Sequence, residues 1–214
     1  MRPPVNDGTV PAMSEQTNDD TNRRIFLAGA SGVIGIRLLP LLVNAGHTVA
    51  GMTRSPSKLA ELEAVGAEPV LCDVYDADAL TAAVVRFAPD AVMHQLTDLP
   101  DDAAEIGRFG DRNDRIRREG TRNLLAAARA AGARRFYAQS VAWKLPGERG
   151  VTTHAFEQAV LDSGGVVIRY GQLYGPGTYY ETSIPDPPRI QIDEAALRTL
   201  PILEVPSGIV ELVD

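Results

Sequence analysis

The chain has 214 residues, 44% of them hydrophobic, with a net charge of −7 at pH 7 and a pI near 5.0. That length and apolar share suit one α/β domain with a sizeable core, alone or with a small appendage. The acidic balance argues against nucleic acid as a partner, which needs a basic footprint, and no apolar run approaches the length of a membrane span.

Residues 1–22 are polar, with Pro3, Pro4, Asp7, Gly8, Asp19 and Asp20, and lack the apolar core of a secretory signal. They read as a disordered leader, with Met13 as a second candidate start, ahead of a single domain over residues 23–214. Cys72 is the only cysteine, so no intrachain disulfide forms and a reducing cytoplasm fits. It falls in a predicted buried strand and reads as an inert core thiol.

The first strand, Arg24–Ala28, runs into Gly29-Ala30-Ser31-Gly32-Val33-Ile34-Gly35, three glycines spaced G-x-x-G-x-x-G. A helix over about Val33–Ala45 and a strand at Thr48–Thr53 complete a βαβ unit. This layout builds a pyrophosphate site. Gly29 allows the tight turn, Gly32 admits the phosphates close to the backbone, and Gly35 lets the helix pack on the sheet. The free N–H groups and positive dipole end of the helix face the anion, which makes Gly29, Ser31, Gly32, Val33, Ile34 and Gly35 the candidate dinucleotide-binding residues. Pro40 inside the helix predicts a kink.

Beyond this unit strands and helices alternate. A helix opens at Ser55-Pro56, a strand covers Glu68–Cys72, a helix Ala77–Phe87 and a strand Ala91–Gln95. A long helix is predicted over about Arg112–Ala131, then a strand at Arg135–Gln139, a helix at Thr153–Ser163 and a strand at Val166–Arg169. A strand at Arg189–Ile192, a helix at Asp193–Leu203 and a strand at Ile209–Val213 close the chain. Apolar strands separated by helices predict a doubly wound parallel sheet, whose ligands bind at the carboxyl ends of the strands.

Arg54 follows the second strand, 19 residues past Gly35, where an acid would hold the ribose 2′-hydroxyl of NAD. An arginine there suits the 2′-phosphate of NADP, so NADP is the expected cofactor, with NAD still open. Asp73 and Val74 follow the third strand. Asp73 either accepts from the adenine amino group or caps the next helix, a job that Asp76 or Asp78 can also do. Gln95, Leu96 and Thr97 follow the fourth strand and are expected to line the ribose and diphosphate, with His94 a strand residue whose ring is satisfied. Ser140 follows the fifth strand and bonds either a substrate oxygen or the local backbone. Arg112, Arg115, Arg117, Arg118 and Arg122 make one helix basic, with Arg115, Arg118 and Arg122 on one face: a solvated face paired with acids, or a site for an anion. No His or Cys cluster has metal-ligand spacing.

Over roughly residues 24–214 these residues resemble the extended short-chain dehydrogenase/reductase superfamily, in particular the NAD-dependent epimerase/dehydratase family that acts on nucleotide sugars. Residues 28–35, AGASGVIG, match the family's cofactor fingerprint, and Asp73-Val74 its adenine-site acid. Glu119-Gly120-Thr121-Arg122-Asn123-Leu124-Leu125 resembles its G-T-x-N-L-L helix. Ser140 falls on its active-site serine, and RYGQLYGPG at 169–177 resembles its R-x-x-N-x-Y-G-P-G turn. Ile192-Asp193-Glu194-Ala195-Ala196 resembles its late V-D-D-x-A segment. The resemblance implies an NAD(P)-binding Rossmann fold, a small-molecule substrate such as a nucleotide sugar or carbonyl compound, and a homodimer.

The chain departs from the family at its catalytic Tyr-x-x-x-Lys pair. Tyr75, Tyr137, Tyr170, Tyr174, Tyr179 and Tyr180 have no lysine four residues on, and the chain's lysines are Lys58 and Lys144. If Glu157 aligns with the family's helix glutamate, Arg149 and Thr153 take the Tyr and Lys places. The loop from Lys144 to Val151 looks too short for a full active-site crossover, and residues 178–214 look like the remnant of a substrate lobe. Two functions fit. One is an NADP(H)-dependent reductase or epimerase-like oxidoreductase with a non-standard acid/base, with Ser140 and Tyr170 as the leading candidates beside His154 and Tyr174. The other is a regulatory protein that senses NADP(H) without turning it over.

Overall fold

The computed structural model describes residues 22–100 and 102–214; the predicted leader lies almost wholly outside them. In chain order the elements are β1 (Arg24–Ala28), α1 (Gly35–Asn44), β2 (Thr48–Thr53), α2 (Leu59–Ala64), β3 (Glu68–Leu71), α3 (Ala77–Phe87) and β4 (Ala91–His94). Then come α4 (Ile106–Arg115), α5 (Thr121–Ala130), β5 (Arg135–Val141), α6 (Gly147–Asp162), β6 (Val166–Tyr170), β7 (Gln172–Tyr174), β8 (Arg189–Gln191), α7 (Ile192–Thr199) and β9 (Gly208–Leu212). Seven strands form one parallel sheet in the order β3-β2-β1-β4-β5-β6-β9, and β7 pairs with β8 apart from it.

The alternation of side chains along β1 divides the core. Ile25 and Leu27 pack with Leu38 and Leu42 of α1 and Ile192 of α7. Phe26 and Ala28 pack with Leu80 of α3, Leu124 of α5 and Val160 of α6. Ile25, Phe26 and Leu27 have no exposed surface, which is worth about 2 kcal/mol per side chain. The chain winds outward from β1 to β3, then crosses back to β4. β1 and β4 stay paired to their last residues, Ala28 and His94, but the chain leaves β1 for the face that carries α1 and leaves β4 toward the face that carries α5, which opens a crevice at their carboxyl ends.

Several expected boundaries move. β3 ends at Leu71 and β4 at His94, so Cys72 and Gln95 lie just past their strands. β5 runs two residues beyond Gln139, which places Ser140 inside the strand. α6 begins at Gly147, so the expected loop from Lys144 to Val151 is largely its first turn. The long basic helix starts at Ile106 and is interrupted by a π-helical segment, Ile116–Gly120. The extra residue rotates the downstream turns and splits the arginine row predicted on one face. Arg115 stacks on Tyr75, whereas Arg118 reaches Thr152 on α6.

Residues 189–214 return to the main body. α7 packs on α1, β9 pairs with β6, and Arg37 of α1 donates to Asp193 at 2.7 Å and to the Pro176 carbonyl. Among the described residues, no helix is long and apolar enough to cross a membrane.

Candidate coenzyme site

The glycine loop turns between β1 and α1, and its glycines answer to different demands. Gly29 has a φ of +90°, and a Cβ there would lie 2.7 Å from the Gln95 carbonyl oxygen. A Cβ on Gly35 would lie 2.1 Å from the Gly29 carbonyl oxygen. The fold itself requires both glycines. Gly32 has no positive φ, and its Cβ would meet only the Gly29 oxygen, at 3.3 Å. Its bare backbone leaves the cleft open at that point.

The N–H groups of Gly29 and Ala30 donate to Met52, and that of Gly32 to Gly29. Those of Ser31, Val33, Ile34 and Gly35 have no partner among the described residues. The first turn of α1 carries no acid and no side-chain cap. The positive end of the helix is thus not compensated by an acid or a cap in its own first turn. Ser31 Oγ bonds Thr53 Oγ1 at 2.8 Å, fixing the loop to the end of β2.

This loop forms one wall of a cleft of about 200 Å³. The other walls are Arg54 and Ser55 after β2, Asp73, Val74 and Tyr75 after β3, and Gln95, Leu96 and Thr97 after β4. The structure thus gathers Gly29, Ser31, Gly32, Arg54, Asp73, Val74, Gln95, Leu96 and Thr97 around one space, with Val33, Ile34 and Gly35 at the start of α1 beside it. It also separates the two carboxylates that compete for the cap of α3. Asp76 caps that helix, accepting from the Ala79 N–H at 3.0 Å, while Asp73 folds its own turn through the Tyr75 N–H at 2.9 Å and stays on the cleft.

The Gly120-Thr121-Arg122-Asn123 segment holds these strand ends from below. Gly120 brings the helix against Val74, where a Cβ would sit 3.4 Å from the valine methyl. Asn123 Nδ2 donates to the Val74 carbonyl at 3.0 Å. His94 Nε2 bonds Thr121 Oγ1 at 3.0 Å, and its Nδ1 accepts from the Leu96 N–H at 3.2 Å. Burial, assisted by the Arg117 charge, pushes the His94 pKa down to about 4, so the ring is neutral at pH 7. It is the satisfied strand residue that its position suggested.

The two catalytic candidates lie on opposite faces of the sheet. Ser140 is buried, and its Oγ donates to Glu157 Oε1 of α6 at 2.5 Å. Arg169 holds the same carboxylate through Nε at 3.0 Å and Nη2 at 2.7 Å. Burial pushes the Glu157 pKa up, but the hydrogen bonds of Arg169 and Ser140 outweigh it and leave the group below its ordinary value. Tyr170 points the other way, buried toward the end of α7, with its hydroxyl 2.7 Å from Thr199 Oγ1. Burial pushes its pKa up to about 12. Both polar side-chain atoms of Gln95 are buried without a hydrogen-bond partner among the described residues. His154 is exposed on α6. Thr153 Oγ1 accepts from Arg117 Nη1 at 2.8 Å, and Arg149 donates to the Gly107 carbonyl, so these two residues face the π segment and α4.

The rim of the cleft holds a residue that strand-end spacing did not single out. Asp98, on the loop after β4, is buried and joins two arginines. Its Oδ1 accepts from Arg54 Nη2 at 3.1 Å and from Arg112 Nη2 at 2.8 Å, and its Oδ2 from Arg112 Nε at 3.1 Å. Arg112 was visible only as one of a row of basic residues, and a lone Asp in a loop gives no signal. No group of three His, Cys, Asp or Glu residues fit to hold a metal occurs among the described residues.

A doubly wound sheet with a glycine loop, an uncapped helix end and a carboxylate on the cleft after β3 has the form of a dinucleotide-binding protein. The comparisons agree. The NAD(P)H-binding family model matches residues 29–162, and the chain belongs to that family. It is 38% identical over 184 residues to the 3-diazoavenalumate denitrifying reductase of a Streptomyces species, covering 73% of this chain and 58% of that protein. It is 33% identical over 115 residues to the uncharacterized sugar epimerase YhfK of Bacillus subtilis, covering 53% of this chain and 50% of that protein. The chain thus spans little more than half the length of these relatives. Among solved structures, the fold is similar to Thermus thermophilus UDP-glucose 4-epimerase complexed with NAD (TM-score 0.72, 17% identity, 89% of this chain and 77% of that one). It is also similar to the Escherichia coli anaerobilin reductase ChuY (TM-score 0.67, 17% identity, 89% of this chain and 96% of that one).

Proposed function

We propose that this chain is an NADP(H)-dependent reductase of a small, electron-poor molecule. The observation that carries this reading is the cleft rim, where the residue after β2 is Arg54 and the neighbouring carboxylate, Asp98, has both oxygens engaged by arginines. The Asp98 carboxylate that a ribose diol would use there is already bonded to arginines, whereas a 2′-phosphate finds guanidinium donors. The unpartnered N–H groups at the start of α1 would hold the pyrophosphate, and Asp73 and Val74 the adenine edge. The bound coenzyme supplies a hydride.

The chain's own groups bear on the acceptor. Reducing a carbonyl calls for a proton at its oxygen, the task of the family's tyrosine. Here the Ser140 hydroxyl is committed to Glu157 and the Tyr170 hydroxyl to Thr199. An acceptor that is already cationic, such as an aryl diazonium, takes hydride without a proton from the protein, and the Streptomyces relative is named for a diazo compound. A nucleotide sugar and a simple carbonyl compound are the competing acceptors.

The test is NADPH oxidation against an aryl diazonium, a panel of aldehydes and ketones, and UDP-glucose. The expected result is oxidation with the diazonium, with one dinitrogen released per NADPH consumed after subtraction of the rate without protein. NADPH binding without turnover on any of these would overturn the reductase reading. The homodimer implied by the resemblance would bring together α5 and α6, whose shared groove carries Arg118, Arg122 and Arg129, and sedimentation at two salt concentrations tests it.

A further inference from the structure

We propose that Arg112, on α4, is the second half of a two-arginine clamp for the coenzyme 2′-phosphate, with Asp98 holding the pair in register. The inference rests on the NADP(H) reading above and adds to it a residue from outside the βαβ unit. Arg54 Nη2 and Arg112 Nη2 bond the same Asp98 oxygen, at 3.1 Å and 2.8 Å, so these two nitrogens lie less than about 6 Å apart. One phosphate group can bridge that separation with charge-assisted hydrogen bonds.

Burial and charge agree with the geometry. The Asp98 side chain is 7% exposed, whereas those of Arg54 and Arg112 are 59% and 51% exposed. The carboxylate thus lies behind and the guanidiniums stand toward solvent. Two cations on one anion leave a net positive site, so an arriving phosphate is attracted despite Asp98. The Asp98 N–H donates to Asn113 Oδ1 at 3.2 Å, and the Arg112 guanidinium lies 4.6 Å from the centre of the Phe109 ring. Both contacts hold the loop and the arginine to α4. Arg115 is the other cation nearby, stacked 3.8 Å from the centre of the Tyr75 ring. Its fork is spent on Glu119 at 2.8 and 3.3 Å, which neutralises it. Arg112 is the cation coupled to Arg54.

Calorimetry on the full chain with NADPH, NADH, adenosine 2′,5′-bisphosphate and 5′-AMP tests the clamp. The parent is expected to favour NADPH over NADH, and the bisphosphate over 5′-AMP. Arg112→Ala is expected to weaken NADPH and the bisphosphate about tenfold, a typical worth for one charge-assisted contact, while NADH and 5′-AMP stay within about twofold. Unchanged NADH binding also reports that the variant is folded. If Arg112→Ala disturbs NADH as well, Arg112→Gln keeps a donor toward Asp98 and must still lower the NADPH-to-NADH ratio. If Arg54→Ala collapses that ratio and neither Arg112 variant changes it, the clamp is wrong and the NADP(H) reading stands. If the parent binds NADPH and NADH alike, the reading itself fails, and the clamp with it.

Discussion

Ser140 on β5 donates its hydroxyl proton to Glu157 on α6 at 2.5 Å, and Arg169 on β6 grips the same carboxylate from the other side. Three elements that meet nowhere in sequence are joined at one buried acid. Glu157→Ala leaves Arg169 with only Glu211, at 3.2 Å, and is expected to cost about 2 kcal/mol, less than a fully buried pair because Arg169 is partly exposed. Ser140→Ala removes one hydrogen bond and is expected to cost about 1 kcal/mol. Urea unfolding measures both, and NADPH affinity should stay at the parent value in Ser140→Ala.

The glycine loop predicts a split between folding and binding. Gly35→Ala drives a methyl into the loop backbone and should destabilise the protein by about 3 kcal/mol or prevent folding. Gly32→Ala meets one backbone oxygen, at 3.3 Å, which a shift of a few tenths of an ångström relieves, and should lower the melting temperature by only a few degrees. It should still lose most coenzyme affinity, because its methyl occupies the space the phosphates need. Thermal unfolding and calorimetry on the same two variants check this.

The two carboxylates after β3 should separate in the same way. Asp76→Ala removes the cap of α3 and should cost about 1 kcal/mol with coenzyme affinity unchanged. Asp73→Ala should weaken binding of 5′-AMP as well as NADPH, since its proposed partner is the adenine edge common to both. Stability and affinity measured on the pair decide it.

His94 gives the protein an acid weakness. Its folded pKa is depressed to about 4, against 6.5 for the free side chain. Between those values the unfolded chain takes up a proton that the folded chain refuses. Stability from this group is complete above pH 6.5, falls as pH drops toward 4 by about 3 kcal/mol, and changes no further below. The melting temperature followed from pH 7 to pH 4.5 should therefore fall less steeply in His94→Gln than in the parent.

Much of the architecture was legible because each signal is local. The apolar runs of β1, β2 and β4 and the glycines between β1 and α1 announce a parallel sheet with an anion site, since backbone sterics and hydrogen bonding act within a few residues. The misplacements have equally physical causes. Ser140 falls inside its strand and not after it because β6 continues alongside as far as Tyr170, the partner of Val141, and nothing in Gln139-Ser140-Val141 reveals that pairing. A period of 3.6 puts Arg115, Arg118 and Arg122 on one face because it cannot register the π segment, which meets α6 through Arg117 and Arg118.

The sequence by itself determined the doubly wound fold, the family and the ring of strand-end residues around the cleft, because those depend on periodicity, glycine geometry and the order of elements. Only the tertiary structure decided which side chains converge. It brought Asp98 between Arg54 and Arg112, turned Ser140 to Glu157, and put Tyr170 on the opposite face of the sheet. Long-range packing makes these pairings, and spacing along the chain carries no record of which loops meet.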